Sequence, residues 1–87
     1  MFAFGDAEWP GLAKVAEEAG EVMQIIGKLM MTHGSPQYWD RADLREELLE
    51  ELADLHAAIQ FQVSLLNHVD FGRFCMRAGV KMDKFRR

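Results

Sequence analysis

Leu44, Leu48, Leu52, Leu55, Ile59, Val63 and Leu66 recur every three or four residues. That spacing gathers them along one side of an α-helix and would scatter them over both faces of a strand. The same period governs the chain on either side. Leu12, Val15, Ala19, Val22, Met23, Ile26, Leu29 and Met30 predict a helix from about Pro10 to Met31, with Pro10 in the tolerated first turn. Phe71, Phe74, Cys75, Ala78, Met82 and Phe85 predict a third helix starting at Asp70, although Gly79 interrupts it. "HGSP", residues 33–36, ends the first helix, because Gly34 accepts a left-handed conformation and Pro36 cannot continue a helix. A loop holding Tyr38 and Trp39 follows to about residue 42, Asp40 or Asp43 caps the second helix, and Asn67 is its expected C-terminal stop. No strand pattern competes, so the expectation is an all-α, three-helix chain.

At 87 residues, the chain is one domain, 1–87, near the size at which a lone hydrophobic core is marginal. Three helices with 49% hydrophobic residues leave more apolar face than so short a chain covers by itself. A homo-oligomer is expected, most simply a homodimer in which helices of two chains complete a four-helix bundle. The single cysteine excludes an intrachain disulfide framework, and "MFAFGDAEWPG" has neither the basic start nor the apolar run of a signal peptide. No run approaches the roughly 18 apolar residues that span a bilayer, so a soluble cytoplasmic protein with no membrane partner is expected. The net charge of −4 divides unevenly: residues 1–72 carry 13 acids and 4 bases (−9), residues 73–87 carry 6 bases and 1 acid (+5). An acidic body argues against nucleic-acid binding, which needs a basic footprint.

The acids themselves are crowded. "KVAEEAGEV", residues 14–22, sets Glu17, Glu18 and Glu21 together, and "EELLEELADL", residues 46–55, sets Glu47, Glu51 and Asp54 on one helical face. Like charges one turn apart repel by a few tenths of a kcal/mol, and an acidic face is commonly just solvated. Here, however, the face of Glu47, Glu51 and Asp54 continues into Ala58, Phe61 and Leu65, and that of Glu18 and Glu21 into Ile25. Carboxylates at the edge of a buried surface need a cation. Two such pairs on packed antiparallel helices can converge on one point. Oxygen ligands without a nearby thiolate favour Mg²⁺ or Mn²⁺. The di-iron alternative requires Glu-x-x-His on two helices. His33, His56 and His68 have no Glu three residues earlier.

In order and setting, "KVAEEAGEV" followed by "EELAD" resembles the MazG-like branch of the all-α nucleoside triphosphate pyrophosphohydrolases, whose pattern is EExxE then ExxD, often with a Lys three residues before the first Glu. The likeness covers about residues 9–66 and is closest to small bacterial or phage members. It implies a MazG-like helical fold and Mg²⁺-dependent hydrolysis of a nucleoside triphosphate to monophosphate and pyrophosphate. By position it makes Glu18, Glu21, Glu51 and Asp54 the metal ligands, Glu17 a supporting acid that orients water, and Lys14 a phosphate contact. The loop "HGSPQYWDRAD" lengthens the interval from Glu21 to Glu51, and no base-recognition residue after Asp54 can be matched. Phosphoribosyl-ATP pyrophosphohydrolases share the acidic pattern and are the alternative within this chemistry. A non-catalytic helical interaction module is the alternative outside it.

A triphosphate brings nearly four negative charges to four carboxylates, so cations beyond two metal ions are required. Arg73, Arg77, Lys81 and Lys84 form one stripe along the third helix, and Arg77, Lys81 and Lys84 are candidate phosphate ligands beside Lys14. Without a catalytic site, the same stripe would serve helix-dipole and solubility needs. Trp9 and Trp39, with Tyr38, are candidates for stacking on a base.

Overall fold

The computed structural model describes residues 9–35 and 43–87 as three helices, α1 (Leu12–Met31), α2 (Leu44–Ser64) and α3 (His68–Phe85). The all-α expectation holds, with no strand among the described residues. None of the three helices is long and apolar enough to cross a membrane. Tyr38, Trp39 and Asp40 lie outside the described residues.

α1 and α2 pack as a hairpin. Gly11 stands against Phe61 and Gln62, and Glu18 interacts with Asp54, so positions rise along one helix as they fall along the other. Val22, Ile25, Leu44 and Ala58 form the buried core, with Leu44 wholly enclosed. Leu12, Val15, Leu29, Leu48, Leu55 and Val63 are half-buried around it. Met23, Ile26 and Met30 on α1, Leu52 and Ile59 on α2, and Leu66 just beyond it belong to the apolar stripes of the sequence yet remain exposed. Two helices bury only one strip each, and the strip used here is rotated toward the acids, leaving the flanking apolar residues for something else to cover.

The helix ends refine the expected punctuation. Pro10 lies outside α1, whose cap is Gly11 in the left-handed region at φ 83 with no side-chain cap bond. At the other end the N–H of Gly34 donates to the Leu29 carbonyl (2.8 Å) and that of His33 to Met30 (3.3 Å), the paired bonds of a Schellman motif. Gly34 does adopt positive φ, but His33 takes the left-handed position next to the helix at φ 55. α2 is capped by Asp43, whose Oδ1 accepts from the N–H groups of Arg45 and Glu46. Asn67 does not terminate α2 but starts α3: its Oδ1 accepts from the Asp70 N–H at 2.8 Å, and its Nδ2 donates to the Asp70 carboxylate at 3.1 Å. The third helix therefore begins at His68, earlier than expected, and Gly79 does not break it.

α3 does not share in the hairpin core. Every one of its residues is exposed, and it packs on neither α1 nor α2 to an extent comparable with their mutual contact. The radius of gyration is 16.0 Å, against about 12 Å for a compact chain of this length. A single chain is thus a two-helix hairpin with a third helix projecting from it.

Candidate metal centre

Glu18 and Glu21 are one turn apart on α1, and Glu51 and Asp54 one turn apart on α2. Because the hairpin packs through the faces that bear them, one carboxylate oxygen from each of the four lies within 4.8 Å of the others. Glu18, Glu21 and Glu51 are half-buried and Asp54 is exposed. Oε2 of Glu18 and Oε2 of Glu51 are buried without a hydrogen-bond partner, as is Oε2 of Glu47 one turn before Glu51. An unpartnered buried carboxylate oxygen is costly, and a bound cation removes that cost.

The electrostatics record the same strain. A hydrogen bond with Glu21, then burial, then repulsion from Glu21, Asp54 and Glu18 push the Glu51 carboxyl up from 4.5 to about 7. Burial, followed by repulsion from Glu21 and Asp54, also raises Glu18. Four carboxylates this close are more than the hairpin can keep fully ionised by itself. The donor set is all oxygen, which suits Mg²⁺ or Mn²⁺. Oxygens on opposite sides of a Mg²⁺ ion stand about 4.2 Å apart, so the observed spread closes around such an ion with small side-chain movement.

Lys14 and Glu17 stand beside this group. Lys14 Nζ is 3.5 Å from Glu17 Oε2, one turn away on α1, and both side chains are largely in solvent. Glu17 is not one of the four convergent carboxylates. Next to the group is an open cavity of about 380 Å³ lined by Lys14, Glu18, Asp54, Ala57, Ala58 and Phe61. Phe61, missed as a site residue in the sequence, was signalled by its place on the face of Glu51 and Asp54. That face was expected to be buried beyond Ala58, yet Phe61 and Leu65 are 53% and 47% exposed, so the ring is free to meet a ligand.

The remaining sequence candidates lie apart. Trp9 is exposed just ahead of α1, and Trp39 is outside the described residues. Arg77, Lys81 and Lys84 ride on α3 and do not line the cavity. Arg77 lines a different groove, with Leu66, Asp70, Arg73 and Phe74. His56 and Cys75 are exposed and line a third groove, between α2 and α3. The chain matches no protein-family model, no curated protein and no solved structure.

Proposed function

We propose that this chain is a Mg²⁺-dependent nucleotide pyrophosphohydrolase with a MazG-like fold, working as a homo-oligomer and releasing pyrophosphate from a nucleoside triphosphate. The observation that carries the reading is the convergence of Glu18, Glu21, Glu51 and Asp54 within 4.8 Å, from two helices, beside a cavity that also exposes a lysine and an aromatic ring. An acidic face selected only for solubility has no reason to turn inward.

Each residue then has a task. Glu18, Glu21, Glu51 and Asp54 would hold the metal, and the half-burial of the first three strengthens their attraction for it. Mg²⁺ bound there supplies the positive charge that a polyphosphate needs and makes a coordinated water more acidic. Lys14, held near the cavity by Glu17, binds phosphate, and Glu17 orients the attacking water from the rim. Phe61 gives the base or sugar an apolar platform above the small side chains of Ala57 and Ala58. Arg77, Lys81 and Lys84 of a neighbouring chain supply the further cations, since within one chain they do not line the cavity.

The test is pyrophosphate release from a panel of canonical and modified nucleoside triphosphates and phosphoribosyl-ATP, with and without Mg²⁺. Release that needs Mg²⁺ supports the reading, and the preferred substrate separates its two branches. No release from any of them, by a folded protein, leaves the non-catalytic interaction module as the better account.

A further inference from the structure

The hairpin leaves two apolar strips uncovered, and they match. Along α2 and the turn just beyond it, Leu52, Ile59 and Leu66 are 47%, 36% and 36% exposed and lie seven residues apart. On α3, Phe71, Ala78 and Phe85 repeat at the same interval, flanked by Phe74, Cys75 and Met82, and all are exposed. The α3 strip spans two heptads, about 21 Å of helix, and the α2 strip keeps the same interval to the end of its helix, the pattern of helices that pack along their length. Where α2 and α3 diverge from their short connection they enclose an apolar groove of about 500 Å³, walled by Ile59 and Val63 on one side and by Phe71, Phe74 and Cys75 on the other.

We infer that the occupant is a second copy of this chain, with the Phe71–Phe74–Ala78–Phe85 seam of each α3 seated on the Leu52–Ile59–Leu66 strip that its partner presents along α2 and the turn after it. The exposed area suffices for a dimer, and the charge pattern favours a copy. The accessible surface is 7158 Å², about 1,900 Å² more than a compact 10 kDa chain exposes, while a stable interface needs roughly 800 Å² from each partner. The chain is also complementary to itself in charge: residues 73–87, most of α3 and the tail, carry +5 and residues 1–72 carry −9, so an exchanged arm brings opposite charges together from both sides of a two-fold axis. The inference names the surface of the proposed homo-oligomer and does not depend on the catalytic reading.

Sedimentation equilibrium of the full chain tests it, together with hydrogen exchange of the α3 amides at several protein concentrations. The expected mass is an even multiple of the 10.0 kDa chain, with α3 protection that falls on dilution. Phe74→Asp and Ile59→Asp should each weaken the assembly by roughly thirtyfold or more, as substitutions at the centre of an interface do. Both sites are exposed in the lone chain, so helical content should survive. If either variant fails to fold, the concentration dependence of the wild-type amides still decides. A particle of one chain at micromolar concentration overturns the inference. So does protection of α3 in such a particle by another segment of the same chain, or an assembly that both substitutions leave intact.

Discussion

Glu21 on α1 and Glu51 on α2 bring carboxylate oxygens within 4.8 Å of each other across the hairpin. Carboxylates this close repel one another, and a proton on Glu51 relieves that repulsion where no cation does. Hydrogen bonding toward Glu21, burial and repulsion from Glu21, Asp54 and Glu18 raise Glu51 from 4.5 to about 7. The stability this proton supports is fully present below about pH 4.5 and is lost as pH rises through about 7. In a chelator, thermal unfolding should shift to lower temperature over that interval, and Glu51→Gln should flatten the dependence. A Glu51→Gln profile identical in slope to wild type would show that Glu51 does not hold this proton.

Phe61 is predicted to act on substrate affinity. Phe61→Ala should raise KM about tenfold or more with a smaller change in kcat, roughly 1.4 kcal/mol of uniform binding, as expected for a stacking platform remote from the reacting phosphorus. Steady-state kinetics on the preferred nucleotide measures it. Unchanged KM assigns the ring to packing alone.

Gly11 should tolerate no side chain. At φ 83, a Cβ is strained, and it would also stand 2.8 Å from Cε2 of Phe61. Gly11→Ala should therefore cost on the order of 1–2 kcal/mol of stability in denaturant unfolding. At the other end of α1, His33 occupies a left-handed position at φ 55 that glycine holds without strain. His33→Gly should stabilise by up to about 1 kcal/mol, and a loss of stability would mean that the His33 side chain contributes something beyond the turn.

The acidic quartet was legible in the sequence because i, i+3 spacing fixes which side chains share a helical face whatever the tertiary structure. Phe61 was half legible for the same reason. Asn67 was misplaced because asparagine serves both helix ends: it adopts left-handed backbone after a helix and caps the next one, and only the bond to Asp70 decides between them. The exposure of α3 was not legible. Periodicity says that Phe71, Phe74, Ala78 and Phe85 share a face, but not which surface meets that face or whether that surface belongs to the same chain. The rotation of the hairpin core toward Glu18 and Glu51 was hidden likewise, since Met23, Ile26, Leu52 and Ile59 are as apolar as the residues that became buried.

The cations of α3 give a kinetic prediction. Lys81→Gln with Lys84→Gln should raise KM or lower kcat by about tenfold or more, roughly 1.4 kcal/mol, if these residues meet phosphate in a neighbouring chain. A folded double variant with wild-type kinetics would leave them as solvated charges on an interface helix.

The central claim is that Glu18, Glu21, Glu51 and Asp54 together hold a divalent cation, and titration with Mn²⁺, followed by loss of the free-ion electron paramagnetic resonance signal, tests it without any substrate. Wild-type protein at neutral pH should take up Mn²⁺ saturably and surrender it to excess Mg²⁺, while Glu51→Gln and Asp54→Asn, folded by circular dichroism, should each bind at least about tenfold more weakly. Wild-type and variant proteins that bind Mn²⁺ equally, or a wild type that binds none, would contradict the claim.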